Sequence, residues 1–163
     1  MGRLCDRLVS WLAAERWLVG ASLTRILLGT WAIYYYLLHY PVRGFLWGPG
    51  GIWPFDEFLN SAVSFNLLRW SPAPLYFEIV YHAAIVLAVA YTLGVWSRLC
   101  GALHWLVIWS LDDRNVFLGD GGDNIMRIVL LFLILVETGR YFSLDALRRR
   151  RPPGRRSGRP GTR

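Results

Sequence analysis

LYFEIVYHAAIVLAVAYTL, residues 75–93, decides the fold. Within it only Glu78 carries a formal charge and only His82 is a histidine. A helix crossing a hydrocarbon core needs about 20 predominantly apolar residues. Gly94 follows at once, a residue that stops helices. The stretch therefore reads as a transmembrane helix. Outward from it, residues 17–39 read as an earlier span. Tyr34, Tyr35, Tyr36 and Tyr40 make an aromatic belt near its end, and Pro41 ends it. Residues 95–111 read as the next span and 125–139 as the last, with Ile128–Val136 wholly apolar. The expected fold is all-α, a polytopic membrane helical bundle of about four transmembrane helices.

Composition agrees. The chain of 163 residues is 55% hydrophobic and 18% charged, with the apolar residues in long blocks. Its mean hydropathy is +0.34. A soluble domain of this size normally carries more charge. The first apolar block is too long for a signal-peptide core and reads as an uncleaved anchor. Residues 4–16 place Leu4, Leu8, Trp11 and Leu12 on one helical face, as an interfacial amphipathic helix does. Residues 41–74 hold Gly44, Gly48, Pro49, Gly50, Gly51, Pro54, Pro72 and Pro74 among large aromatics. Backbone of that kind cannot face lipid with its amides unpaired, so an interfacial or re-entrant loop is expected. A short amphipathic helix is expected over about 57–69. The organisation is thus 1–16 interfacial helix, 17–147 transmembrane domain and 148–163 Arg-rich tail, the tail expected to be disordered. No internal repeat is present.

The net charge of +7 is a property of that tail, since eight of the eighteen arginines lie in 148–163 and the chain has no lysine. A polybasic tail on a membrane protein points to anionic lipid rather than nucleic acid. Arg3, Arg7, Arg16 and Arg98 add to the same side, so both termini and the 94–98 connection are expected in the cytoplasm, in the cell membrane. Cys5 and Cys100 then share the reducing side, and no disulfide is expected.

Ionisable groups within spans point to function or to a structural pair. Arg25 and Glu137 fall at similar depth in the inner half and are expected to pair. The outer end is richer. Glu78 and His82 are four apart and share a helix face, so the carboxylate can orient the imidazole as a general base needs. Asp112, Arg114 and Asn115 end the third span; Asp123, Asn124 and Arg127 start the fourth, with Asp123 and Arg127 again four apart. These eight residues form the candidate polar site. The bland reading is helix capping by Asp120 and Asp123 and packing hydrogen bonds for the rest. His104, alone among apolar neighbours, reads as an interhelical hydrogen-bonding residue. Asp112–Asp123 is not a calcium loop, since its third and fifth positions are Arg114 and Val116 and no glycine stands at the sixth. No metal site is expected.

Several local series together resemble one family. Thr24-Arg25-Ile26-Leu27-Leu28-Gly29 precedes Leu46-Trp47-Gly48-Pro49-Gly50-Gly51; then come Leu93-Gly94 with Ser97-Arg98, and Trp109-Ser110-Leu111 with Arg114-Asn115. Gly121-Gly122-Asp123-Asn124 and Arg127 close the series. Over residues 15–147 this resembles the bacterial HTTM (horizontally transferred transmembrane) domain, related to vitamin K-dependent gamma-carboxylase, and matches its N-terminal part. The resemblance implies a polytopic fold, a quinone as possible cofactor and, in the eukaryotic relatives, carboxylation of glutamates. That carboxylase uses a lysine base, which this chain lacks, so no catalytic residue carries over. Two readings follow. One is an enzyme-like membrane protein whose outer polar cluster meets a lipophilic substrate. The other is a non-enzymatic accessory, maturation or immunity component for a secreted peptide, with a second membrane subunit or that peptide as partner.

Overall fold

The computed structural model describes residues 15–61, 65–119 and 121–150. The expected amphipathic helix at 1–16 falls almost wholly outside the described residues, as do Cys5, Asp120 and the tail from Arg151. Among the described residues the chain is all helical. The long helices are α1 (Glu15–His39), α4 (Pro74–Leu93), α5 (Ser97–Arg114) and α6 (Gly121–Leu135). Short helices α2 (Arg43–Trp47) and α3 (Phe55–Leu59) lie in the long connection, and α7 (Leu144–Arg150) closes the described chain. In the bundle α1 packs on α4, α4 on α5, α5 on α6, and α6 back on α1.

Small residues let the helices approach closely. Ala32, Ala84 and Ala88 are buried in the core. A β-carbon on Gly29 would collide with the Thr92 hydroxyl, so the α1–α4 crossing needs glycine there. Tyr36, Tyr81 and Trp47 stack around this crossing, and Tyr81 donates from its hydroxyl to the Tyr36 carbonyl at 2.7 Å.

Helices α1 and α4 cover the first two stretches expected to be helical, 17–39 and 75–93, and Gly94 ends α4 in the left-handed conformation at φ 72°. Four boundaries differ. The helix expected over 95–111 runs Ser97–Arg114. The expected helix over 57–69 is broken into α3 and a 3-10 turn at Leu67–Trp70. Asn66 caps that turn, its side-chain oxygen accepting from the Leu68 amide at 2.8 Å. The expected span 125–139 begins earlier and stops at Leu135, because the chain turns to deliver the carbonyls of Thr138 and Phe142 to α1. The start of the tail, 148–150, is helical because Ser143 caps α7, its hydroxyl accepting from the Ala146 amide at 2.9 Å.

One helix among the described residues, Pro74–Leu93, is long and apolar enough to cross a membrane by length and composition, with mean hydropathy 1.5. By these criteria one of the four expected spans is a candidate among the described residues. α6 has only 15 residues, and α5 ends in Asp112, Asp113 and Arg114.

Candidate functional site

The eight candidate polar residues separate into two clusters and a structural pin. The first cluster is built on the opening turns of α4. Glu78 and His82 do meet, with His82 Nδ1 3.5 Å from the Glu78 carboxylate. Two residues that the sequence reading missed complete the group. Arg43 Nε donates to Glu78 at 3.0 Å, and the Tyr40 hydroxyl lies 2.9 Å from His82 Nε2. Pro41 lies in the 3-10 turn that follows α1, and the chain runs on antiparallel to α4, which brings Tyr40 to His82 and Arg43 to Glu78. Arg43 caps the Tyr40 carbonyl at 2.7 Å and lies 4.0 Å above the Tyr40 ring. The one signal in the sequence was charge: Arg43 and Arg69 are the two cations of the connection that leads to the lone carboxylate of α4.

The geometry sets the His82 tautomer. Nδ1 lies 2.7 Å from the Glu78 backbone carbonyl, which can only accept. Nδ1 therefore carries the proton, and Nε2 accepts from the Tyr40 hydroxyl. His82 is about half exposed, at 48% of its side chain, so the array is open to a partner molecule. The hydrogen bond to Glu78 raises the Arg43 pKa above its ordinary value.

The second cluster joins the end of α5 to the start of α6. Arg127 Nε lies 3.3 Å from Asp112 and its NH1 3.5 Å from Asp113. Arg127 also donates to the Asn124 side chain at 2.9 Å and lies 5.2 Å above the Trp109 ring. The expected Asp123–Arg127 pairing thus gives way to a pairing across helices, because two carboxylates of α5 converge on the guanidinium. Asp113 belongs to this cluster and was absent from the expected site. Burial raises the Asp112 carboxyl to about 7, with the Asp123 charge adding to the shift and Arg127 opposing it. Asp113 is raised too, by burial against the pull of Arg127.

Arg114 and Asn115 turn away from both clusters. Both are buried, and both hold the Gly-Pro loop. Arg114 donates to the carbonyls of Gly48 at 2.8 Å and Trp53 at 2.6 Å. Asn115 donates to the Leu46 carbonyl at 2.7 Å. Irregular backbone needs such donors when it is packed inside protein. Their place in the candidate site is corrected to loop anchors.

Arg25 is fully buried, but its partner is not Glu137. It donates to the Ser97 hydroxyl at 3.2 Å and the Phe142 carbonyl at 2.6 Å. Its guanidinium lies where a β-carbon on Gly94 would be. Glu137 stands past the end of α6, exposed, and pairs with Arg149 at 3.4 Å. The early end of α6 is the reason, since it carries Glu137 out of reach. His104 is buried as a hydrogen-bonding residue, its Nε2 3.1 Å from the Tyr36 hydroxyl.

Among the described residues no three His, Cys, Asp or Glu side chains are grouped to hold a metal ion. Cys100 is a buried free thiol. No protein-family model, curated protein or solved structure matches the chain.

Proposed function

We propose that this chain is a multi-pass membrane protein of the HTTM, vitamin K-dependent carboxylase-like type, whose Tyr40–Arg43–Glu78–His82 cluster takes the polar head of a lipophilic quinol-like substrate. The observation that carries the membrane reading is the apolar outside of the bundle. Leu27 and Trp31 of α1, Ile79 and Val86 of α4, Leu103 of α5, and Ile128, Phe132 and Leu135 of α6 are all exposed. Isolated apolar side chains on a surface need no explanation; apolar faces on all four long helices do. Lipid in contact with all four helices accounts for them, with crossings near 17–39, 75–93, 95–111 and 125–135, both termini cytoplasmic, and the last turn of α5 beyond the hydrocarbon.

In this setting the cluster lies at the outer interface. An amphiphilic substrate reaches it laterally, its tail in lipid and its hydroxyl at Tyr40. The chemistry offered is proton abstraction from a weakly acidic hydroxyl. The substrate O–H proton passes to the Tyr40 oxygen as the Tyr40 proton passes to His82 Nε2, and the Arg43 guanidinium faces the negative charge that develops. Glu78 orients both Arg43 and His82.

The test uses the full chain in lipid nanodiscs, titrated with a short-tailed benzoquinol and read by tryptophan fluorescence quenching. Saturable quenching is expected, and His82→Asn or Tyr40→Phe should weaken it at least about tenfold, the value of one good hydrogen bond. Absence of saturable quenching would sink the quinol reading.

A specific observation favours the accessory reading as second choice. Phe45, Trp70 and Phe117 are 61, 70 and 69% exposed on the loops of the same end. Aromatic side chains of that kind suit a peptide partner. A secreted peptide or second subunit that co-purifies and shields these residues, with no quinol binding, would decide for it.

A further inference from the structure

At the end of the bundle where α1 begins, the long helices stop at different levels. Gly29 of α1 meets Thr92 of α4, and α4 ends one residue later at Leu93. From Gly29, α1 reaches back fourteen residues to Glu15, about 21 Å past that crossing. The 138–147 segment fills part of the gap, its Thr138 and Phe142 carbonyls accepting from Ser22 at 2.9 Å and Arg25 at 2.6 Å. What it leaves is an open apolar groove of about 670 Å³, lined by Ile26 of α1, Leu93 of α4, and Phe142, Leu144 and Leu147. Sites for small molecules run to about 300–1,000 Å³. Phe142 is held at φ 48°, a conformation that a bulky side chain rarely adopts. The buried Arg25 guanidinium fixes that turn through the Phe142 carbonyl, and the ring stands 62% exposed at the groove. Leu93 and Leu147 are exposed as well. An apolar wall built with backbone strain and left open points to an occupant.

Charge decides which one. Leu144, Leu147 and Arg148 share one face of α7, at helical spacings of three and four. Arg148 is exposed and makes no hydrogen bond or ion pair among the described residues. Asp145 and Arg149 fall on another face, tied to the Trp96 amide at 2.8 Å and to Glu137 at 3.4 Å. Across 94–98 and 137–150 five arginines stand against Glu137 and Asp145, so the rim is positive.

We propose that this groove binds one acyl chain of an anionic phospholipid from the cytoplasmic leaflet, with the lipid phosphate on Arg148. The inference rests on the membrane reading above. The groove and an unpaired cation stand side by side, which is the pattern an amphiphile needs. The acyl chain enters beneath the end of α4, beside the exposed Leu23 and Leu27 of α1. The phosphate meets a guanidinium that no carboxylate neutralises, and the two are matched for paired N–H···O bonds. A free phosphate would leave the apolar wall uncovered, and a zwitterionic lipid would oppose the positive rim with no net charge. Bound in this way, the lipid closes the bundle below α4 and braces the segment that carries the Phe142 carbonyl to Arg25.

The test places the full chain in phosphatidylcholine nanodiscs with a trace of probe lipid carrying a diazirine in the middle of one acyl chain. The probe is either a phosphatidylglycerol or a phosphatidylcholine, and adducts are located by peptide mass spectrometry after illumination. The phosphatidylglycerol probe should label 141–147 about fivefold more than the phosphatidylcholine probe, the preference that one basic residue gives an anionic lipid. Leu131 and Phe132, exposed on α6, should take both probes within twofold of each other. Arg148→Gln should abolish the preference at 141–147, whereas Arg155→Gln, the same charge change further along the arginine-rich tail, should leave it within twofold. Equal labelling of 141–147 by the two probes overturns the proposal. So does equal loss in both variants, which would mean a general attraction to the basic tail. Adducts on α6 without any at 141–147 would mean that residues 1–14 or a second copy of the chain covers the groove, and overturn it too. No adducts on α6 either would defeat the membrane reading itself, and this proposal with it.

Discussion

Asp112 shows how one side chain inherits its behaviour from its surroundings. Its carboxyl is mostly buried, with a raised pKa of about 7 against an ordinary 3.8. A carboxyl with a raised native pKa holds its proton longer in the folded state than in the unfolded. The folded state is therefore favoured below pH 4, and that advantage is lost as pH rises to about 7. At 1.36 kcal/mol per unit the linkage is worth at most about 4 kcal/mol. Asp112→Asn removes the titration. Relative to wild type, this variant should gain thermal stability steadily from pH 4 to pH 8, as read by melting scans. A difference that does not vary with pH would mean that Asp112 is ionised throughout. At this scale the sequence was legible only as residue type. Glu78 with His82 was visible as an (i, i+4) pair, whereas Arg25, Arg127 and Glu137 all took partners other than those expected, because long side chains choose among groups brought near by other elements.

At the scale of elements, the last turn of α5 holds the connection between α1 and α4. Arg114 and Asn115 clamp the Gly-Pro loop, while the Asn66 side chain donates to the Ser110 carbonyl at 2.7 Å and so ties in the segment before α4. Arg114→Met keeps the bulk and removes the donors, leaving the buried carbonyls of Gly48 and Trp53 without that partner. The Gly48 carbonyl keeps the Gly51 amide, so the Trp53 carbonyl is the one left unsatisfied, and the expected cost is about 1–3 kcal/mol. Hydrogen exchange should quicken first at the loop amides of Gly51 and Ile52, which donate to Gly48 and Phe45. Unchanged protection there would remove Arg114 from its anchoring role. The starts and stops of α1 and α4 were readable because local signals make them: Pro41 after α1 and Gly94 after α4. The end of α6 was not readable. Val136 continues the apolar run and Glu137 is helix-compatible, and the chain leaves the helix there to bring the 138–143 segment to Ser22 and Arg25.

For the whole molecule, the proposed topology makes a direct forecast. A cysteine placed at Gly121, exposed at the start of α6, should react from outside intact cells with a membrane-impermeant maleimide. Labelling only after lysis would reverse the orientation, and release of the chain by alkaline carbonate would reject the spanning bundle altogether. The sequence alone determined that the chain is helical, where the two most regular helices lie, and which residues are too apolar to face water. Those are properties of runs, summed over neighbours a few positions apart. Only the tertiary structure decided which polar residues meet. It joined Tyr40 and Arg43 to Glu78 and His82, turned Arg114 and Asn115 inward, and set His104 against Tyr36 in the core. Such meetings depend on which helix faces point at one another. A short helix period does not specify this, because the packing is set by where small residues such as Gly29, Ala84 and Ala88 let two helices close together.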